Sequence, residues 1–225
     1  PASSLANLTL RNNGVAARLA HNTFAALSNI TATGNGMDNV VWSGSTIPAN
    51  ATWPRLDIAY RLTNDVWVGD GATLTVEAGA SVVMDAYTSL HVDGALLAIG
   101  TATAPITFTS ATVGAVGEWA YLQLGGGNSG DSDASQLSYV TIQGGGNPNY
   151  GVGALHIGDG APHLDHITVR RSGTDGISVA SGANITLDSA LLEDNTDAGI
   201  ESYGDAGPAS SLANLTLRNN GVAAR

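Results

Sequence analysis

The sequence predicts an all-β chain folded as a right-handed parallel β-helix, a solenoid of roughly eight coils per 207-residue period. Three observations predict it. The first is a duplication: residues 1–18 and 208–225 are the same eighteen letters, PASSLANLTLRNNGVAAR, 207 residues apart. Eighteen consecutive identities read as one full period of a tandem array plus an overlap, so the text after Arg225 in such an array is that of Leu19 onwards. The second is a smaller period inside the large one. LSNITATGNG at 27–36, LSYVTIQGGG at 137–146, LDHITVRRSG at 164–173 and LANLTLRNNG at 212–221 share one template, with LDSALLEDNT at 187–196 as a looser member. In that template apolar residues two apart flank a Thr, and a turn residue closes the segment, which is strand periodicity with punctuation. The third is composition. Gly is 29 of 225 residues, aromatics are 5% and charged residues 12%, which suits short stacked strands joined by tight turns better than helices.

Taken in order, residues 1–35 read as the final coils of one repeat. Residues 36–64 contain Trp42, Pro48, Trp53 and Pro54 and break the rhythm. Proline cannot donate to a ladder, so this stretch is expected to be an irregular crossing between repeats, with its Trp residues packing on the end of a coil stack. Residues 65–225 read as the coils of the next repeat, 208–225 duplicating 1–18. The leading Leu137, Leu164, Leu187 and Leu212, followed by Leu27 one period on, recur every 22 to 27 residues. They are expected to stack as one interior row. A second short strand opens after glycine in each coil, at Gly153, Gly176, Gly199 and Gly221. No stretch carries the eleven-residue stripe of an amphipathic helix, which argues against leucine-rich and α/β repeats.

The run GATLTVEAGASVVMDAYTSLHVDGALLAIGTATAPITFTS at 71–110, continued by GEWAYLQL at 117–124 and the L-x-x-V-T-I coils, resembles the β-helix repeat regions of large bacterial secreted and surface proteins. Those belong to the pectin-lyase-like superfamily. The resemblance covers roughly 65–225 and 1–35, and the shared residues are those that build coils. It implies where chemistry would lie in an enzyme of this kind: carboxylates and basic residues on adjacent coils of one sheet, with acids holding calcium in lyases and an Arg or Lys taking the proton. The nearest material is Asp159, Asp165, Arg170 and Arg171, with His156, His163 and His166 nearby. Asn195-Thr196-Asp197 matches one motif of polygalacturonase-like hydrolases, but the D-D, G-H-G and R-I-K motifs of that family have no counterpart here.

Other features carry less chemistry. His163 and His166 are three apart on a strand approach and need not share a side. Asp131 and Asp133 in a glycine-rich loop have the spacing of a calcium loop and also of an ordinary solvated one. The T-x-T pairs at 31, 73, 101 and 107 fall at different places in their segments, unlike the register an ice-binding face requires. The five N-x-[ST] sites, at Asn7, Asn29, Asn50, Asn184 and Asn214, follow from Asn-rich turns before Thr strands. The sequence therefore assigns no catalytic, cofactor or metal residue, with calcium the single cofactor kept open.

Net charge is −11, and all eight basic residues are Arg, which disfavours nucleic acid and anionic membrane as partners. Cysteine is absent, which excludes disulfides and thiolate metal sites. No apolar run is long enough to insert in a membrane. The expected function is a structural repeat, stacking head to tail with identical units in an extracellular stalk, fibre or adhesin shaft of a bacterial cell surface. The expectation is of no enzymatic activity. The rival is a polysaccharide-binding or polysaccharide-cleaving β-helix, which clustered outward acids on one sheet would favour.

Overall fold

A computed structural model describes residues 4–19, 27–126, 134–205, 207 and 209–225. Among them the chain forms only β-strands and turns. The N-terminal coils hold β1 (Leu5–Arg11), β2 (Ala17–Leu19) and β3 (Leu27–Thr33). From there the strands come in threes: β4 (Val40–Trp42), β5 (Thr46–Ile47) and β6 (Ala51–Trp53), then β7 (Tyr60–Leu62), β8 (Val66–Val68) and β9 (Thr73–Val76). The next coils are β10 (Ser81–Met84), β11 (Leu90–Val92) and β12 (Ala95–Ile99), then β13 (Ile106–Ser110), β14 (Leu122–Leu124) and β15 (Gln136–Ser138). They are followed by β16 (Val140–Gln143), β17 (Leu155–Ile157) and β18 (His163–Asp165), then β19 (Thr168–Arg170), β20 (Ile177–Ala180) and β21 (Thr186–Asp188). The last are β22 (Leu191–Glu193), β23 (Ala198–Tyr203) and β24 (Ser211–Ala213), then β25 (Thr216–Arg218) and β26 (Val222–Ala224).

Every third strand pairs in parallel with its counterpart one coil away, so three sheets enclose one core. The first sheet holds β2, β4, β7, β10, β13, β16, β19, β22 and β25. The second runs from β5 through β8, β11, β14, β17, β20 and β23 to β26. The third runs from β6 through β9, β12, β15, β18 and β21 to β24, and β1 pairs with β3 at the outermost N-terminal coil. This is the parallel β-helix that the periodicity predicts, right-handed as parallel crossovers are.

The two-residue period of each strand sends alternate side chains inward. On the first sheet the inward column runs Val40, Tyr60, Val82, Phe108, Ile142, Val169, Leu192, and every member is buried. On the third sheet Leu137, Leu164, Leu187 and Leu212 form the expected row in direct register. The first three are buried, and Leu212, on the outermost coil, is 51% exposed.

The corners explain the turn residues of the template. The residue after each first-sheet strand from β16 onward takes a left-handed conformation, at Gly144, Arg171, Asp194 and Asn219. Asn12 and Gly34 do the same after β1 and β3. Tyr139, His166, Ser189 and Asn214 turn the chain from the third sheet to the first with φ between 48° and 54°. Asn adopts this region at little cost, and glycine at none.

Residues 36–64, expected as an irregular crossing, instead supply β4 to β7 in register with the coils that follow. The prolines obscured this because each falls where no ladder donor is needed: Pro48 follows β5 and Pro54 follows β6. Trp42, Trp53 and Tyr60 lie inside the coil rather than on its end, with ring centroids 5.5 and 5.3 Å apart. Only 20 residues separate Val40 from Tyr60, against as many as 34 elsewhere on this sheet.

Candidate functional site

Residues that point outward stack just as the core residues do, so each sheet displays columns of polar and aromatic groups. The column with the most chemistry is on the second sheet: Thr46, Trp67, His91, Gln123, His156, Ser178 and Glu201 stand in continuous register. The Trp67 and His91 rings lie flat on one another, 4.7 Å apart with 2° between their planes. Tyr121 meets His91 edge-on at 5.3 Å and Tyr150 at 5.6 Å.

The two histidines of this column are held neutral. Burial lowers the pKa of His91, against the opposing pull of Asp65 and Asp93, and burial also lowers that of His156. Ser89 Oγ lies 2.8 Å from His91 Nε2 and donates to Asp65 Oδ1 at 2.7 Å. Ser178 Oγ lies 2.9 Å from His156 Nδ1. A neutral imidazole between a ring stack and a hydroxyl is a positioned, apolar-faced group rather than a free base.

At the C-terminal end of the column the acids gather. Asp175 is buried, accepting from the Ala198 amide at 2.9 Å and from the Tyr203 hydroxyl at 3.2 Å. Arg225 Nη2 lies 3.4 Å from Asp175 Oδ1, 2.8 Å from Asp197 Oδ2 and 2.9 Å from Glu201 Oε2. Burial, together with the neighbouring Glu201, pushes the Asp175 carboxyl up to about 6. The Arg225 guanidinium holds Glu201 low. Of the two carboxylates, Asp175 is therefore the one that takes up a proton first as the pH falls.

The residues singled out by sequence are not brought together. His156 is on the second sheet, His163 on the third and His166 at the corner after it, stacked 4.5 Å from Tyr139 and paired with Asp165 at 2.7 Å. Asp159 lies in the turn after β17. Arg170 lies in an outward column of the first sheet, its Nε donating to Gln143 Oε1 at 2.9 Å and its Nη1 3.8 Å from Glu193, while Arg171 is a corner residue. Among the described residues no three of His, Asp and Glu are grouped to hold a metal ion, and no helix is long and apolar enough to cross a membrane. Asp131 and Asp133 lie outside the described residues. The T-x-T pairs scatter: Thr73 and Thr75 on the third sheet, Thr107 and Thr109 on the first, Thr31 and Thr33 on β3, Thr101 and Thr103 in a turn.

Asn195 has a structural task that its resemblance to a hydrolase motif concealed. Its Oδ1 accepts the Ser172 amide at 3.0 Å, and its Nδ2 donates to Val169 O. One coil on, Asn220 repeats the pattern: Oδ1 accepts the Asn195 amide at 3.1 Å and Nδ2 donates to Leu192 O. At the other end Asn35 Oδ1 accepts the Asn13 amide at 2.8 Å, and Nδ2 donates to Leu10 O. Asn13 is Asn220 one period earlier. The ladder therefore reaches the same residue from both sides. A second ladder does likewise at the third-to-first corner, where Asn214 donates to Asp188 at 2.7 Å and its copy Asn7 accepts from Asn29 at 3.0 Å. The signal was present in the sequence, since Asn35, Ser172, Asn195 and Asn220 occupy the ninth place of the template. Trp67, Asp175 and Glu201 carried no such signal.

A three-sheeted parallel coil with continuous outward ladders defines the class, a β-solenoid. A family model described as a pectate-lyase like beta helix domain matches residues 45–156, from the start of the second sheet to His156. Over those residues the chain is similar to the pectate-lyase-like parallel β-helices, and its all-parallel coil is the fold they share. No curated protein and no solved structure matches it.

Proposed function

We propose that the chain is a structural module, one period of a β-helical shaft in which each period continues the coils of the one before. The observation that carries this is the Asn ladder. Asn220 satisfies the coil beneath it, while Asn13, the same residue in the first copy, is satisfied by the coil above. Leucine supports the same reading: Leu212 rests on Leu187 and is 51% exposed, and its copy Leu5 rests on Leu27 and is 39% exposed. Merging the two copies into one coil covers both open sides at once, and a repeat coil gains its stability from such neighbours. The Asn7 and Asn214 corners share φ values of 57° and 53°, and Asn12 and Asn219 share 58° and 53°, as merging requires. The reading places the shaft outside a bacterial cell, with identical periods as its partners and no catalytic or metal centre of its own.

Electron microscopy of polypeptides of one, two and three periods tests it. A rod that lengthens by about 40 Å per added period, at about 4.8 Å per coil, is the expected result. Beads joined by flexible links would end the proposal.

A second reading rests on the outward column of the second sheet. Trp67, Tyr121 and Tyr150 beside Asp65, Asp175 and Glu201 have the mixed aromatic and acidic character of a polysaccharide-binding surface. Affinity electrophoresis of the chain and its Tyr150→Ala variant against neutral and acidic polysaccharides tests that reading. Retardation lost in the variant would favour it, and unchanged migration of both would leave the shaft alone.

A further inference from the structure

The register of the first sheet measures the period in coils. Ala17 pairs with Val40, and the column then continues through Tyr60, Val82, Phe108, Ile142, Val169 and Leu192 to Leu217. Ala17 to Leu217 is thus eight coils and 200 residues. The copy of Ala17, however, is Ala224, seven residues further along. Those seven residues carry the chain around a corner, and Ala224 pairs with Ile200 on the second sheet. The same residue that lies on the first sheet in one copy lies on the second sheet in the other. The 207-residue period is therefore eight coils and one sheet, a non-integral number.

From this register we infer that successive periods of the shaft are rotated by one sheet, about a third of a turn, around the long axis. The inference rests on the shaft reading above and adds its geometry. When the two copies merge, the first sheet of the incoming period continues the second sheet of the period before it. Its second sheet continues the third, and its third continues the first. The aromatic and acidic column from Trp67 to Glu201 then points in a new direction in each period and returns to its starting side after three, about 25 coils or about 120 Å. A shaft built this way has no bare side. Whatever the second sheet displays is presented all around it, at steps of about 40 Å.

The surface that receives the next period is the outermost coil, β24 to β26, and its occupant is the coil sequence that follows Arg18 in the first copy. Separate copies of the chain that stack β1 and β2 on β24 to β26 obey the same rule, because β1 and β2 are there placed over the sheets of their own duplicates.

The test uses a polypeptide of two periods, residues 1–225 followed again by residues 19–225, labelled for distance measurement by electron spin resonance. The chain has no cysteine, so introduced ones are unambiguous. One sample carries Thr107→Cys in both periods. The other carries Thr107→Cys in the first period and Leu97→Cys in the second. Thr107 points outward on the first sheet and Leu97 on the third. Rotation by one sheet sets Thr107 and the second-period Leu97 on the same side, eight coils or about 38 Å apart axially. It sets the two Thr107 positions on different sides, at a longer distance. The expected result is the mixed pair shorter than the identical pair by about 3 Å or more, because a sideways step of at least about 10 Å between sheets, taken at right angles to an axial step of about 40 Å, gives a distance of about 41 Å or more. The reverse order, with the identical pair shorter, overturns the rotation while leaving a continuous shaft. Broad, similar distributions in both samples show no continuous stack and remove the shaft itself. Ser138→Cys on the third sheet with Thr141→Cys on the first repeats the comparison further along, should Leu97→Cys disturb the coil.

Discussion

Asp175 carries a carboxyl whose chemistry the fold alters. Its carboxyl is raised to about 6 from an ordinary value near 3.8, by burial first and by Glu201 second. A folded-state pKa above the unfolded one means that the folded chain holds more protons between those values, so stability falls as pH rises from about 4 to about 6. Asp175→Asn removes that slope while keeping an acceptor for the Ala198 amide and a donor toward Glu201. The variant should therefore equal or exceed the parent at pH 7, by at most about 2–3 kcal/mol, and lose its advantage near pH 4. Chemical denaturation of both chains across that range measures the difference. Glycine makes the opposite case: a Cβ at Gly94 would lie 2.1 Å from Ala72 O and 2.5 Å from Gly69 O. Both obstacles are backbone, so Gly94→Ala should cost about 1–3 kcal/mol or more, read as a lowered midpoint in the same denaturation experiment.

At the scale of strands and coils, the interior was legible and the exterior was not, for one physical reason. The core columns announce themselves locally, as apolar residues two apart, and Leu137, Leu164 and Leu187 could be aligned by eye. The outward column depends on register across coils of unequal length: Trp67, His91, Gln123, His156, Ser178 and Glu201 are separated by 24, 32, 33, 22 and 23 residues. No fixed period reveals such a set. The strands of 36–64 were hidden differently, by Pro48 and Pro54, which each stand just after a strand, where no ladder donor is needed. Asn195 shows the cost of reading a motif without its neighbours. It is buried and bridges three coils, so Asn195→Ala should strand the Ser172 amide donor and the Val169 carbonyl acceptor and cost about 1–3 kcal/mol, with no effect on any catalytic assay. Arg170 is likewise engaged by Gln143 and Glu193, and pectin or alginate incubated with the chain, with or without calcium, should yield no unsaturated products. Release of such products, abolished by Arg170→Ala, would overturn that expectation.

For the molecule as a whole, stability should depend on how many periods are joined, because the outermost coils are held from one side only. Leu212 states this in a single side chain. In one period it is half exposed over Leu187, and its removal deletes little buried contact. In two joined periods the same residue becomes the Leu5 of the next and lies between Leu187 and Leu27, covered on both sides. Leu212→Ala should then cost under about 1 kcal/mol in the single period but about 2–4 kcal/mol at the internal junction of a two-period chain. The parent two-period chain should also unfold at higher denaturant concentration than the single one, since a linear array adds one interface for each unit joined. Equal costs of Leu212→Ala in the two contexts would mean that the duplicated coil remains open in the longer chain, and that joined periods fold as separate bodies.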